Sequence, residues 1–177
     1  IFESAAEESA LSSFLASVGV AWVARQVEYI QRGPVQLIRG IPSLLDEANE
    51  HLQALSAMSG STYARLFESE RTAWEVRLAR FRDAMELWAE VQTRWLHLSN
   101  LFSECNAGIA SLRKQLRQEY SSFVSVQARF AEFTTHSKSA AGILEAMENS
   151  SGLDRMSMEL SAIVRSLGKF LESQRSS

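Results

Sequence analysis

Aromatic residues recur at every seventh position along the middle of the chain. This aromatic column consists of Phe67, Trp74, Phe81, Trp88, Trp95 and Phe102. Because seven residues make about two turns of α-helix, all six rings fall along one side. No glycine or proline interrupts the stretch. The pattern predicts one continuous helix of about 40 residues, roughly 60 Å long. A helix of that length is typical of a long bundle or a coiled-coil-like body.

We expect the aromatic column to be a buried core face and not a ligand platform. Apolar residues three or four positions from the rings widen the column, namely Leu78, Met85, Val91 and Leu98. A stacking platform for nucleic-acid bases would also need a basic groove, and no such groove accompanies the rings. The spacing therefore favours packing against other helices.

The composition is typical of one folded domain over residues 1–177. Of the 177 residues, 46% are apolar and 22% are charged, and the net charge is −3. This balance gives no nucleic-acid footprint. No apolar stretch reaches the ~20 residues needed to cross a membrane. The chain begins at Ile1 without a signal segment, so we expect a piece of a larger intracellular protein.

Apolar positions three and four residues apart predict further helices joined by short loops. We expect these helices at about Glu3–Arg32, Pro42–Met58, Leu112–Phe133, Ala140–Glu148 and Leu153–Leu171. A looser region is expected over Ser103–Gly108 and a break at Ser137–Ser139. The fold class is therefore all-α, an elongated bundle of about five or six helices around one very long central helix.

Two positions leave alternatives open. Val35–Arg39 is short and rich in branched residues, and it fits either an isolated strand or extended chain. Gly168 lies inside the last predicted helix, where glycine costs about 1 kcal/mol relative to alanine. A close helix crossing would explain this glycine, and so would neutral drift.

No constellation of catalytic, cofactor-binding or metal-binding residues emerges. The chain has no phosphate-binding glycine loop and no Gly-x-Gly-x-x-Gly motif. Neither Glu-x-x-His nor His-Glu-x-x-His occurs, and His51, His97 and His136 are isolated. The single cysteine, Cys105, has no histidine near it in sequence. We therefore predict no catalytic, cofactor or metal site in this chain.

Residues 85–102 carry a motif with a known parallel. They read Met-Glu-Leu-Trp-Ala-Glu-Val-Gln-Thr-Arg-Trp-Leu-His-Leu-Ser-Asn-Leu-Phe. This closely resembles the Trp-x-x-Val-Gln-x-x-Trp-x-x-Leu-x-x-x-Phe signature in the linker region of dynein heavy chains. Leu37–Gly40, Leu55–Met58 and Trp74-Glu75 also resemble segments of that family, in the same order. The expected family motif and structural core comprise Trp74, Phe81, Trp88, Val91, Gln92, Trp95, Leu98 and Phe102.

The resemblance, which is strongest to the cytoplasmic type, implies a mechanical role. In dyneins the linker is a helical arm that lies across the ring of AAA+ ATPase modules and bends as nucleotide turns over. The implied partners are the AAA+ ring of the same chain and the dynein tail with its intermediate and light intermediate chains. Microtubules would be contacted only through distant domains, and ATP and Mg would bind only in the parent ring. The implied location is the cytoplasm, on the cytoskeleton.

Two other functions remain as alternatives. A passive helical scaffold or cargo-adaptor bundle predicts near-repeated helical units, which the sequence lacks. A helical enzyme predicts polar groups that converge inside the bundle, whereas the inward positions are nearly all apolar.

Overall fold

The computed structural model describes residues 2–103, 116–148 and 151–176, and within them it is predominantly helical. The elements run in the order α1 (Phe2–Trp22), β1 (Glu28–Arg32), β2 (Val35–Arg39), α2 (Ile41–Met58), a 3₁₀ turn (Ala64–Phe67), α3 (Glu68–Ser103), α4 (Arg117–Lys138), α5 (Ile143–Glu148) and α6 (Leu153–Ser176). The described residues thus contain six α-helices and one two-stranded sheet. The prediction of an all-α fold with one long helix is confirmed.

The first helix is shorter than its sequence predicts. It ends at Trp22 instead of continuing to Arg32, and Glu28–Arg32 forms strand β1. Val35–Arg39 pairs with it as β2, which settles the choice between strand and extended chain. Gly33 and Pro34 form the two-residue turn, and Gly33 has the positive φ (57°) that a primed hairpin turn needs at its first central residue. The Gly-Pro pair therefore marks the tip of a hairpin and not the end of a helix.

Helix α2 begins and ends close to its predicted positions. Gly40 precedes it with φ 86°, a left-handed conformation that favours glycine, and Pro42 follows in the first turn. The helix buries Ile41, Leu44, Ala48, Leu55 and Met58. The loop predicted from Ser59 to Thr62 is confirmed as a turn.

Helix α3 is the continuous rod that the aromatic column predicts. It is 36 residues long, about 54 Å at ~1.5 Å per residue. Five rings of the column are buried, from Trp74 at 9% exposure to Trp88 at 0%. Phe67 differs, because it belongs to the preceding 3₁₀ turn and is only half-buried.

The last three helices lie close to their predicted positions, but some details differ. Helix α4 runs to Lys138, so the break expected at Ser137–Ser139 comes later, and α5 begins at Ile143 instead of Ala140. Helix α6 buries Leu153, Met156, Leu160, Ile163 and Leu167, but Leu171 is 48% exposed and so does not continue the inward face. Within the described residues, no atom other than those of α6's own backbone and the chain neighbours lies within 4 Å of the position that a Cβ at Gly168 would take, so no close crossing among them explains that glycine. The expected loose region after Ser103, Leu112 and Cys105 lie outside the described residues.

The chain divides into two compact units, each with its own core. The first unit comprises the described residues of 1–28, 38–86 and 137–149. The second comprises those of 29–37, 87–136 and 150–177. Helix α3 thus contributes its residues up to Glu86 to the first unit and those from Leu87 to the second.

Candidate functional site

In the first unit, the aromatic column packs against helix α1, and Arg77 beside it joins α3 to α5. The Phe81 ring lies 5.0 Å from the Trp22 ring of α1, centroid to centroid. The Arg77 guanidinium sits 4.7 Å above the Trp74 ring, and its Nε donates a hydrogen bond of 2.6 Å to Glu148 of α5. Arg77 thus joins α3 to α5 through its ion pair with Glu148, while its contact with the Trp74 indole of its own helix holds the guanidinium in place.

In the second unit, the aromatic column packs against α4. The Trp88 ring meets the rings of Phe133 and Phe130 at centroid distances of 4.9 and 6.3 Å, both close to edge-on. Two heptads further, the Phe102 ring lies 5.2 Å from Tyr120 and 5.3 Å from Phe123. The edge-to-face pairs among these, such as Trp88 with Phe133 and Phe102 with Tyr120, add about 0.5–1.5 kcal/mol each to the burial of the rings.

In three buried tryptophans, the indole N–H is the one polar group of the side chain, and it donates a hydrogen bond to an acceptor. The Trp88 indole N–H donates to Gln92 Oε1 at 3.2 Å, one helical turn further along α3. The Trp95 indole N–H donates to Gln127 Oε1 of α4 at 3.0 Å. Because an unpaired buried N–H is costly, these acceptors allow the rings to be fully buried. They account physically for a glutamine in the Trp-x-x-Val-Gln-x-x-Trp motif, whose Val91 and Leu98 are fully buried.

For the third tryptophan, Trp22, the hydrogen-bond acceptor is a histidine. Its indole N–H donates to His51 Nδ1 of α2 at 2.8 Å. The His51 ring also meets the Phe14 ring at 6.3 Å, nearly edge-on. His51 is therefore a packing residue of the first unit, while His97 and His136 are exposed.

Sequence reasoning missed Gln127 and the acceptor role of His51. Gln127 directly follows the buried Val126, in a helix whose apolar residues recur at helical spacing. This place at the edge of the buried face is the one signal in the sequence that its side chain accepts a hydrogen bond in the core. No pattern in the sequence pairs it with Trp95, since the two are 32 positions apart.

A clasp in the first unit holds the segment that follows α1. Arg25 makes two hydrogen bonds to the Glu47 carboxylate of α2, at 3.2 and 2.5 Å. Its carbonyl accepts a 2.8 Å bond from the backbone N–H of Ile143. A Cβ added at Gly142 would lie 3.0 Å from that same carbonyl oxygen. The backbone approach at Gly142 is therefore so close that only glycine fits without a shift.

A polar cluster in the second unit joins α3 to α6. Ser157 of α6 is 4% exposed, and its hydroxyl donates to Glu90 Oε2 at 2.9 Å. Arg94 donates to the same hydroxyl and, at 3.4 Å, to Glu90. A second ion pair, between Arg129 and Glu159, joins α4 to α6. These groups therefore satisfy one another's hydrogen bonds.

Among the described residues, a groove borders α6 on each of two sides. The groove on the α4 side has a volume of about 570 Å³ and is lined by hydroxyls such as Ser122, Ser125 and Ser166. The groove on the α3 side is larger, about 1060 Å³, and includes Leu87, Met158 and Val164. We name it the α3–α6 groove.

Within the described residues, no group of three or more His, Cys, Asp or Glu side chains is placed to hold a metal ion. None of the described helices is both long and apolar enough to cross a membrane.

Comparison with known proteins gives one consistent family. The family described as "Dynein heavy chain, N-terminal region 2" matches residues 1–177. Dynein heavy chain-like protein 1 of Plasmodium falciparum is 30% identical over 99% of this chain. The cytoplasmic dynein heavy chains of Dictyostelium discoideum and Drosophila melanogaster are 32% and 31% identical over 99% and 96% of it. The chain spans about 4% of the length of each of these relatives.

Proposed function

Because this chain belongs to the family of the dynein heavy chain N-terminal region 2, we propose that it is a force-transmitting linker segment of a dynein heavy chain. The family match over residues 1–177 is the observation that carries the proposal. In this role the segment passes the ATP-driven conformational change of the AAA+ ring to the cargo-binding tail, during minus-end-directed movement on microtubules.

The packing of α3 supports a mechanical role. An arm that transmits force has to resist bending, and bending of α3 would pull rings of the aromatic column away from the rings they contact. Each unit opposes this with its own contacts, Phe81 on Trp22 in the first and Trp88 on Phe133 in the second. The cost of opening such packed faces makes the helix stiffer than an isolated helix.

The proposal assigns no chemistry to the segment itself. ATP and Mg would bind in the ring of the parent chain, and microtubules would contact distant domains. The partners would be the ring of the same chain and the tail with its intermediate and light intermediate chains. We propose the cytoplasmic, cytoskeleton-associated type, because several relatives carry the word cytoplasmic in their names.

Softening α3 in the parent motor tests the mechanical role. Asp83 and Glu86 are exposed, so replacing both with glycine weakens the helix by about 1 kcal/mol per site without touching the core. We expect the gliding velocity of microtubules to fall, while the ATPase rate of the ring is retained. Asp83→Ala with Glu86→Ala is the matched control, because it removes the same side chains and keeps the helix stiff.

Equal gliding velocities for the glycine and alanine pairs would refute force transmission through α3. They would favour the alternative of a passive scaffold, for which helix stiffness is irrelevant. A second check is the parent reading frame, which should encode a Phe-Pro-Arg-Phe-like strand after Ser177 and then several ATPase modules.

A further inference from the structure

One face of α6 carries a stripe of side chains at helical spacing that the described residues leave exposed. Its members are Arg155, Met158, Ala162 and Arg165, spaced three, four and three residues apart, and all four are exposed. Met158 is 71% exposed, among the highest values for a large apolar side chain in the described chain. Met158 and Ala162 form the apolar middle of this stripe, and an arginine lies at each end of it.

The facing wall of the α3–α6 groove repeats the same spacing. On α3 it is formed by Leu87, Glu90, Arg94 and His97. Two helices with matched stripes thus border a groove of about 1060 Å³, all within the second unit. A groove between two helices is the shape into which the ridge of a third helix packs.

Ion pairs neutralise only part of the positive charge of the α3–α6 groove. Arg94 is paired with Glu90, and Glu159 is paired with Arg129. Among the described residues, no ion pair includes Arg155 or Arg165. The remaining carboxylate is Asp154, in the first turn of α6, where the positive end of the helix dipole stabilises it.

From this geometry we propose that the α3–α6 groove docks an amphipathic helix with an apolar seam and acidic flanks. An apolar side chain of that helix covers Met158, whose flexible thioether adapts to different shapes. Its carboxylates face Arg155 and Arg165, which supply direction and specificity. This surface goes beyond the linker function proposed above and does not depend on it.

The test uses the 177-residue chain and a synthetic probe. The probe is a helical peptide about three heptads long with leucine seam residues and glutamate flanks, and its counterpart carries lysine flanks. Binding is followed by fluorescence anisotropy and by NMR of ¹³C-labelled methionine methyl groups. We expect the acidic peptide to bind and to shift the Met158 methyl signal, while the buried Met85 in the first unit stays unchanged.

Charge reversal makes the test specific. Arg155→Glu with Arg165→Glu should weaken binding of the acidic peptide by about tenfold or more, because like charges then face each other, and should favour the basic peptide. The matched control is Arg80→Glu with Arg117→Glu, which changes the net charge equally at exposed positions outside the groove. Far-UV circular dichroism verifies that both variants remain helical.

Three outcomes would overturn the proposal. The first is equal or tighter binding of the basic peptide to the unchanged chain. The second is equal loss of binding in the groove and control variants, which would indicate a non-specific charge effect. The third is dimerisation of the chain that the groove variant abolishes, since the occupant would then be a second copy.

Discussion

At the scale of single residues, a buried tryptophan sets two demands. Its ring requires a large apolar space, and its one N–H requires an acceptor. The period of seven in the sequence indicates where the rings lie, because helical periodicity is a local property. The acceptor of the Trp95 N–H lies on another helix, and only the folded chain brings Gln127 to it.

The first residue-scale prediction concerns Gln127. Replacing it with leucine should destabilise the fold by about 1–3 kcal/mol, because the buried Trp95 N–H loses its acceptor. In a Trp95→Phe background, which has no N–H, the same change should cost much less. Urea unfolding of the four chains of this cycle measures the coupling. A Gln127 effect that is the same in both backgrounds would contradict the role of the hydrogen bond.

The second concerns a ring of the column. Trp88→Ala should cost about 3–5 kcal/mol, because it removes a fully buried side chain and leaves a cavity. The control is Leu96→Ala on the same helix. Because Leu96 is 38% exposed, its replacement should cost under about 1 kcal/mol. Thermal unfolding by circular dichroism measures both, and unchanged melting of the Trp88 variant would refute its burial.

At the scale of elements, the spacing of apolar residues predicts where the helices lie, whereas contacts with distant segments determine where the helices end. The helix expected over Glu3–Arg32 extends up to Gly33-Pro34, whereas in the structure the residues on both sides of this pair form strands. Short apolar stretches are compatible with helix and strand alike, so local periodicity alone does not decide between them. What holds the chain after Trp22 is the clasp from Arg25 to Glu47 and to Ile143, which joins segments far apart in sequence.

Two glycine substitutions should have opposite effects at this scale. Gly142→Ala should destabilise by about 1–3 kcal/mol, because the new Cβ meets backbone atoms at 3.0–3.2 Å that cannot move aside. Gly168→Ala should stabilise by about 1 kcal/mol, since it lies within α6 with open space around it. Chemical denaturation compares the pair, and a stable Gly142 variant would show that the clasp is looser than described.

At the scale of the whole molecule, the prediction of a single domain can be tested against the two compact units. Met85 lies in the core of the first unit and Met156 in that of the second. Since α3 contributes to both, we expect one cooperative transition. The ¹³C methyl signals of the two methionines should then disappear at the same urea concentration. Separate midpoints would instead establish two independently folding domains.

The hydrogen-bonded indoles have a consequence for measurement. The side-chain N–H protons of Trp22, Trp88 and Trp95 each sit on an acceptor beside a buried ring. They can exchange with deuterium only when the surrounding helices part, so their exchange rates report local opening free energies at three separate places. If a load opens the chain near one of these tryptophans, deuterium exchanges faster at that indole N–H than at the other two. The isotope content of the three side chains therefore shows where the chain opens under load.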